Sequence, residues 1–407
     1  AVDALAADQS GSGSMNESGV LHADNEKLRQ TLINASGGVN GEFSLEGADM
    51  NGHLTQTVTI NDESGNIGTA TYDFGLAQDS LRVDLTYRLT EIVIDPDKSL
   101  MLSGVADDDT AQEDDSILSA KVSGHGNLEI AGNAVRLTNG DNSYSGSTTV
   151  QTGATLYAED DTLGETNLLD VLGTAYVDDN EVDVLNVGET GTLHLTGDLT
   201  IDGGEASVSS IDGKVLGSGK MTLLGGRLNV SSANSDYSGT IAFTDDDAGL
   251  GIGAIKFLQG AELDVTVSGS KTLTNTVTSS DGYGVIDVSG TGASSVFAFS
   301  SAQASGAFDG TLNLAGVVYD FNTNGNDTLK NAALVLGTGA LVKIAQDADS
   351  NQLDGLTLSG GVIDFGSAVG HIQLSGGDLT VAEESAFRLD NNGMAVIKND
   401  DGSAAFG

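Results

Sequence analysis

Cysteine and tryptophan are absent from this 407-residue chain, and proline occurs once, at Pro96. Without cysteine the chain has no disulfide, no thiolate nucleophile and no cysteine-based metal site. A single proline suits a chain made mostly of hydrogen-bonded strands, because proline removes a ladder N–H. Eleven Phe and eight Tyr beside 56 Gly are too few large side chains to fill a wide core. We therefore expect a narrow and repetitive interior.

Basic residues are also scarce. Lys and Arg number 16 against 59 Asp and Glu, which gives a formal net charge of −43. This charge repels nucleic acid and anionic lipid surfaces, so we expect no nucleic-acid partner. No apolar run approaches the roughly 20 residues of a membrane helix. The first residues do not resemble a signal segment, so if the chain is exported we expect its signal to have been removed.

The first part of the chain differs in pattern from the rest. Residues 1–35 are polar and rich in Ser and Gly, which predicts a flexible N-terminal arm with a short helix near residues 26–32. Residues 80–95, "SLRVDLTYRLTEIVID", alternate apolar and polar side chains and predict a strand. We expect one β-helical domain over residues 36–407.

An internal repeat is the most informative feature. Residues 124–146 and 217–239 match at a constant offset of 93, and a looser third copy covers 290–321, with Phe308 in the place of the tyrosine. The matched pairs include Gly124 and Gly217, Leu128 and Met221, Val135 and Leu228, Tyr144 and Tyr237, and Gly146 and Gly239.

A smaller unit, Gly-x-apolar-x-apolar, recurs within and between these copies, as in "GTLHLTG" and "GTLNLAG". Each such short strand can bury only one face, so it needs a neighbour stacked above and below it, as in a solenoid with coils of about 23 residues. We predict an all-β fold, a parallel β-helix. The side chains predicted to point inward are those of Thr148, Val150, Ala154, Leu156 and Ala158.

Residues 137–164, "LTNGDNSYSGSTTVQTGATLYAEDDTLG", resemble the passenger-associated transport repeat of AIDA-like type V autotransporters. The matching positions are Asn142, Tyr144, Gly146, Thr148, Val150, Gly153, Leu156, Leu163 and Gly164. The resemblance implies a right-handed, three-stranded parallel β-helix with on the order of a dozen coils. It also implies export through the periplasm by the protein's own C-terminal β-barrel translocator, which we expect to lie outside this sequence, and display on a Gram-negative cell surface.

Enzymatic signatures are weak, and we expect no enzyme. The Gly-Asp-Ser-Gly motif of serine-protease passengers is missing, and the five His are scattered. "GKVLGSGKM" at 213–221 has the wrong spacing for a phosphate-binding loop. Because some β-helices are polysaccharide lyases or hydrolases that use clustered carboxylates, that activity stays open as an alternative.

Three acidic or Asn/Asp-rich segments, at 106–115, 244–249 and 322–331, carry oxygen ligands of the kind that calcium prefers. A calcium roll needs tandem copies stacked one coil apart, and this chain has one. We predict solvated acidic loops with no metal or cofactor, and calcium stays open as the alternative.

Adhesion is the function that these features favour, since a long solenoid presents many weak contacts to an extended partner. We predict a surface adhesin that binds host extracellular-matrix glycoproteins such as fibronectin, or glycosaminoglycans, and so promotes colonisation. The alternative is self-association of passengers, giving aggregation and biofilm. The residues predicted to line a binding groove are Asp160, Asp161, Asp178, Asp179, Asn180, Lys214, Lys220, Asp245, Asp246 and Lys256. Anionic glycans would need locally clustered cations, for which Arg136 and Arg227 are further candidates.

Overall fold

The structure is a computed structural model. It describes residues 20–22, 28–62, 65–104, 117–204, 206–224, 227–230, 236–243, 249–250, 254–257, 262–273, 276–279, 281–291, 294–299, 303–325, 327–344, 351–366, 369–375, 378–390 and 394–399. The fold is all-β, a parallel β-solenoid of about ten turns. The chain divides into a first unit, residues 1–183 and 190–193, and a second unit, residues 184–189 and 194–407.

The first unit contains sixteen consecutive described strands, and the boundary between the units falls within β18 (Thr192–Leu195). The strands of the first unit are β1 (Val20–His22), β2 (Leu28–Asn34), β3 (Leu54–Asp62), β4 (Gly65–Gln78), β5 (Arg82–Ile94), β6 (Ser99–Ser103), β7 (Ile117–Leu118), β8 (Lys121–Gly124), β9 (Asn127–Gly132), β10 (Ala134–Leu137), β11 (Ser143–Tyr144), β12 (Ser147–Val150), β13 (Thr155–Ala158), β14 (Leu168–Val171), β15 (Thr174–Val177) and β16 (Asn180–Val182).

An antiparallel sheet occupies residues 54–94 of the first unit, ahead of its parallel coils. β3 pairs with β4, and β4 pairs with β5 along nearly the whole length of both strands. On its other edge β5 pairs with antiparallel β2 and, from Glu91 to Ile94, with parallel β8. Phe74, Leu85 and Tyr87 form the buried centre of this sheet.

The parallel coils of the first unit stack strands from successive turns. β6, β9, β12 and β14 pair in that order, and β7, β10, β13 and β15 form a second sheet. Leu128 pairs with Thr148, and Thr148 pairs with Leu169, so these two coils are nearly equal in length. Side chains alternate between buried and outward positions along each strand, as the pleat requires. The predicted strand at 80–95 is confirmed as β5.

The corner between β11 and β12 carries the transport-repeat motif. Tyr144 is fully buried, and its hydroxyl meets that of Thr148 inside the coil. Gly146 lies so close to the preceding coil that an added Cβ would be 2.1 Å from the Gly126 carbonyl oxygen. Gly153 instead adopts a φ of +83°, which glycine tolerates best. The five predicted inward side chains, from Thr148 to Ala158, are all buried, which confirms that prediction.

The second unit has short strands throughout and the one helix among the described residues, α1 (Phe321–Asn324). Its strands are β17 (Leu185–Val187), β19 (Leu199–Ile201), β20 (Val208–Ile211), β21 (Lys214–Gly217), β22 (Lys220–Leu223), β23 (Arg227–Val230), β24 (Asp236–Tyr237), β25 (Thr240–Phe243), β26 (Gly249–Leu250), β27 (Ala254–Lys256), β28 (Glu262–Val267), β29 (Ser270–Leu273), β30 (Thr276–Thr278), β31 (Val285–Gly290), β32 (Val296–Phe299), β33 (Thr311–Ala315), β34 (Val318–Asp320), β35 (Ala333–Leu336), β36 (Leu341–Lys343), β37 (Asn351–Leu353), β38 (Gly355–Leu358), β39 (Val362–Asp364), β40 (Val369–Leu374), β41 (Leu379–Val381), β42 (Ala386–Arg388) and β43 (Met394–Asn399).

The longest sheet of the second unit runs in the order β19, β22, β25, β28, β31, β33, β35, β38 and β41, with every described pair parallel. Leu263 pairs with Ile286, and Ile286 pairs with Leu312, so the second of these coils is the longer one. A second long sheet runs from β29 through β32, β34, β36 and β39 to β42. Outward side chains of the longest sheet build the candidate site.

One described segment of the first unit differs from its sequence prediction. The helix predicted near residues 26–32 is wrong over its described part, where Leu28–Asn34 is strand β2. The backbone groups of this segment pair with those of β5 in an antiparallel sheet, so tertiary pairing overrides the local helix propensity. The rest of the predicted arm, 1–19 and 23–27, lies outside the described residues. No helix in the described part of the chain is long and apolar enough to cross a membrane.

Candidate functional site

Four of the predicted binding residues meet at one corner of the first unit. Asp160 and Asp161 follow β13, and Asp178 and Asp179 follow β15 one coil later; all four are exposed. The N–H of Asp161 donates to the carbonyl oxygen of Asp179 at 3.0 Å. Asp161 and Asp179 adopt φ values of +54° and +44°, a conformation that Asp tolerates better than most residues. The backbone conformation at this corner therefore explains why Asp occupies positions 161 and 179.

Asn180 does not belong to this surface, although the sequence analysis predicted it there. It is 5% exposed, and its Oδ1 accepts a hydrogen bond from the Leu163 N–H at 2.9 Å. Its Nδ2 donates to the carbonyl oxygens of Glu159 and Asp178. Asn142 makes the same kind of bridge at the same corner, from the Val122 N–H to the Thr162 carbonyl. These two buried amides hold coils together.

The predicted lysines lie in the second unit. Lys214 is exposed in β21, and Lys220 is half-buried in β22 with Nζ 3.9 Å from Asp264 Oδ2. Asp245 and Asp246 lie outside the described residues. Lys256 ends β27, and its side chain lies outside the described part as well. The structure therefore brings one predicted residue, Lys220, to the acidic cluster built by β28 and β31.

A stack of side chains that the sequence analysis did not predict lies on the outward side of β10, β13 and β15. The rings of Tyr157 and Tyr176 are parallel with centroids 4.7 Å apart. The guanidinium of Arg136 lies 4.7 Å over the other face of Tyr157 and donates to Glu159 at 2.8 Å. Arg136, expected to help bind anionic glycans, is thus held by an aromatic ring and a carboxylate.

Three carboxylates converge on the outward face of the longest sheet of the second unit. Glu262 and Asp264 are two positions apart on β28 and therefore lie on the same, outward face of the strand. Asp287 of β31 pairs in register with Asp264. One oxygen from each of the three lies within 4.8 Å of the others, and all three side chains are half-buried. The amide of Asn313, next in register on β33, donates to Asp287. We refer to Glu262, Asp264 and Asp287 as the carboxylate cluster.

A shallow groove of about 320 Å³ opens beside the carboxylate cluster. Asp287, Ser289 and Asn313 supply its polar groups, and Ala315, Val335 and Gly337 supply small apolar ones. Its volume is at the lower end of the range of small-ligand sites, which is about 300–1,000 Å³. Its lining residues lie on β31, β33 and β35, or directly after β35 at Gly337.

The surroundings of Glu262 in the carboxylate cluster change the pKa of its side chain. A hydrogen bond with Asp287, burial, and the charges of Asp264 and Asp287 raise the pKa of Glu262 to about 7. Glu262 is therefore partly protonated near neutral pH and can donate a hydrogen bond. In the described part of the chain, this is the one group of acidic side chains spaced to hold a metal ion. Carboxylates and an amide in a groove can also bind sugar hydroxyls.

The Asn/Asp-rich segment at 322–331 uses its polar groups internally. Asp320 Oδ1 accepts the Asn322 N–H at 2.8 Å and caps α1. Asn324 Oδ1 accepts the Phe299 N–H at 2.7 Å, and its Nδ2 donates to the Asp320 carbonyl. The other two segments considered for calcium, 106–115 and most of 244–249, lie outside the described residues.

The sequence analysis missed the carboxylate cluster, although a signal for it exists. "ELDVTV", "VIDVSG" and "TLNLAG" each place a polar residue between two apolar ones, in three successive coils. The spacing from Asp264 to Asp287 equals one coil, so the two carboxylates stack. Reading outward residues coil by coil would have found this column.

Comparison with known proteins gives two partial similarities. The chain is 34% identical over 154 residues, 34% of its length, to the uncharacterized lipoprotein YdeK of Escherichia coli K12. It is 26% identical over 194 residues, 46% of its length, to the uncharacterized protein YuaQ of the same strain. The alignments cover 11% and 14% of those proteins, so the chain spans a small part of their length. No family model and no solved structure matches.

Proposed function

We propose that this chain is the ligand-binding region of a Gram-negative surface adhesin, of the autotransporter-passenger type, that binds glycan-bearing matrix macromolecules without catalysis. The observation that carries the proposal is the open groove beside the carboxylate cluster, on the face of a solenoid that offers many further contacts. The lipoprotein named among the similar proteins supports a place in the cell envelope. Display at the outer surface, and export by the protein's own β-barrel translocator, follow from the transport-repeat resemblance.

The finer geometry belongs to the same proposal. The family resemblance supports a right-handed, three-stranded helix with on the order of a dozen coils. Burial of Tyr144 and Leu163 and the positive φ of Gly164 agree with structural roles for these motif positions. Electron cryomicroscopy or crystallography of the chain would measure the handedness and the number of coils directly.

Neutral glycans fit the groove better than sulfated ones. Asp287 can accept hydrogen bonds from sugar hydroxyls and Asn313 can also donate to them, and the apolar lining residues Ala315 and Val335 suit a sugar C–H face. A sulfated glycosaminoglycan would bring negative charge to Glu262, Asp264 and Asp287, with Lys220 as the nearby cation. We therefore place neutral glycans of matrix glycoproteins first and glycosaminoglycans second.

Binding to immobilised fibronectin, other matrix glycoproteins, neutral glycans and heparan sulfate tests the proposal. Ala315→Trp fills the groove without changing charge and should weaken binding by about tenfold or more. Ala304→Trp, at an exposed position away from the groove lining, is the matched control and should bind like the natural chain. Equal binding by both variants would refute the groove as the site, and no binding to any ligand would refute adhesion to the matrix.

A polysaccharide hydrolase is the second candidate, because one observation favours it. The raised pKa of Glu262 suits a general acid, and two further carboxyl groups, those of Asp264 and Asp287, lie next to it. An enzyme would release reducing sugar from a polysaccharide panel and lose this activity in Glu262→Gln. An adhesin would bind the same polysaccharides and release none.

A further inference from the structure

Asparagine is followed directly by glycine at five places in the chain: Asn40, Asn51, Asn139, Asn324 and Asn392. In such a pair the backbone nitrogen of the glycine can attack the side-chain carbonyl carbon of the asparagine, because glycine has no Cβ to obstruct the approach. The attack needs a side-chain amide that can turn and a backbone nitrogen that is not held in a hydrogen bond. Asn392 lies outside the described residues, so the structure allows four pairs to be compared.

Two of the four pairs are held at the asparagine side chain. Asn324 Oδ1 accepts a backbone N–H at 2.7 Å, and its Nδ2 donates to a backbone carbonyl oxygen at 2.8 Å. Asn139 Oδ1 accepts the Asp141 N–H at 2.9 Å, and its Nδ2 donates to the Ser119 carbonyl oxygen at 2.9 Å. Each of these amides must break two hydrogen bonds before it can turn toward the glycine nitrogen.

The pair at Asn51 is held through its backbone instead. The Gly52 N–H donates to the Asp49 carbonyl oxygen at 3.1 Å. The Asn51 N–H donates to Asp49 Oδ1 at 2.9 Å, so both backbone N–H groups of the pair are bonded to one aspartate. Attack by the Gly52 nitrogen would first have to open this turn.

The pair Asn40 and Gly41 has neither restraint. Both residues are exposed, and within the described part of the chain no hydrogen bond reaches the Asn40 side chain or the Gly41 N–H. A Cβ built on Gly41 would meet no atom within 4 Å. The chain is anchored on both sides of Asn40, however. The Val39 N–H donates to the Ser80 carbonyl oxygen at 2.7 Å. Gln78 Nε2 donates to the Gly41 carbonyl oxygen, also at 2.7 Å.

We propose that Asn40 is a deamidation site, which is converted without an enzyme to aspartate and isoaspartate. The Gly41 nitrogen forms a bond to Asn40 Cγ, the bond from Cγ to Nδ2 breaks, and the Gly41 amide proton leaves with Nδ2 as ammonia. Water then opens the succinimide at either carbonyl, which gives an aspartyl or an isoaspartyl residue. The isoaspartyl link adds one carbon atom to the main chain between the two anchors and so displaces at least one of them.

This modification goes beyond the proposed ligand groove and does not depend on it, because Asn40 lies in the first unit and the groove lies within the second. Both products add one negative charge to a chain that already carries a formal charge of −43. The change needs only water and time, so it would accumulate as the protein ages.

Peptide mapping by mass spectrometry, during incubation of the full chain in mildly alkaline buffer, tests the site. In the folded chain Asn40 should deamidate roughly tenfold or more faster than Asn139 and Asn324, because those amides react only after a local opening. In a chain unfolded by guanidinium chloride the same three pairs should react at similar rates. Similar rates at the three sites of the folded chain, or no reaction at Asn40, would overturn the proposal.

Hydrogen exchange tests the effect on the anchors. The Val39 N–H should exchange faster in the isoaspartyl form, separated by chromatography, than in the natural chain. Asn40→Asp is the matched control, because it adds the same charge without the extra main-chain carbon, and it should exchange like the natural chain. Faster exchange in Asn40→Asp as well, or equal exchange in all three forms, would overturn the effect assigned to the isoaspartyl link.

Discussion

The hydroxyl of Tyr144 lies 2.8 Å from Oγ1 of Thr148, and Thr148 lies 2.9 Å from Oγ1 of Thr166. Thr166 donates in turn to the Leu163 carbonyl. This chain of hydroxyls is buried inside the first unit. Tyr237, the equivalent residue of the second copy, bonds instead to the carbonyls of Gly219 and Thr240. The equivalent tyrosines of the two repeat copies are therefore both hydrogen-bonded, but to different partners.

Tyr319 provides a contrast that predicts opposite mutational effects. It is fully buried, and its hydroxyl has no hydrogen-bond partner among the described residues. Tyr144→Phe should lower the free energy of unfolding by about 1–2 kcal/mol, because it breaks the hydroxyl chain. Tyr319→Phe should be neutral or stabilising by up to ~1 kcal/mol, because it removes an unsatisfied polar group. Urea denaturation of both variants measures this, and equal losses would contradict the assignment.

Two motif glycines should respond differently to alanine. Gly146→Ala would place Cβ 2.1 Å from a backbone oxygen, so we expect a loss of about 3 kcal/mol or more from coil separation. Gly153→Ala meets no atom within 4 Å but must adopt a φ of +83°, so we expect a loss of about 1 kcal/mol. Thermal unfolding compares the two. Similar losses would mean that steric contact does not decide the role of Gly146.

Asn180 and Asp178 separate a structural role from a surface role at the acidic corner. Asn180→Ala leaves the Leu163 N–H without its acceptor and removes one donor from the carbonyl oxygens of Glu159 and Asp178, so it should destabilise by about 2 kcal/mol. Asp178→Asn should change stability by no more than ~0.5 kcal/mol, because Asp178 is exposed. Denaturation and glycan binding should be measured together. Unchanged stability with lost binding in Asn180→Ala would restore its predicted role in ligand contact.

Glu262 predicts a pH dependence with a definite sign. Its pKa is about 7 in the folded chain against an ordinary value of 4.5, so ionising it disfavours the folded state. Stability should therefore fall as pH rises from about 4.5 to about 7 and then level off for this group. Glu262→Gln should raise the unfolding temperature at pH 8 and leave it nearly unchanged at pH 4.5. Asp178→Asn controls for the loss of one negative charge, and an equal rise with both would contradict the cluster's role.

The alternating pattern predicted the coils well, because inward and outward positions follow directly from the pleat. Thr148 and Leu156 were predicted to be inside and are buried. Pairing direction is a different matter, since β5 has the same alternation whether its neighbour is antiparallel β4 or parallel β8. The local sequence of a strand therefore does not determine whether its neighbour is parallel or antiparallel.

The site residues were harder to predict for two physical reasons. Asn180 looks like any polar corner residue, and its burial follows from backbone groups of Glu159 and Leu163 that its amide satisfies. Asp264 and Asp287 meet only because the coil between them has the length that stacks them, whereas the next coil, which ends at Asn313, is longer. Coil length varies along the stack, so sequence spacing alone does not place outward residues in columns.

β5 has a consequence for the order in which the chain can fold. It is the strand that joins the antiparallel sheet to the first parallel neighbour, through the register of Glu91 with Lys121. Because each coil contacts its nearest neighbours, a coil that forms on β5 becomes the template for the next one. A slip of one residue at this junction would turn inward side chains outward, and later coils would copy the error. The fidelity of the whole stack therefore begins with one strand.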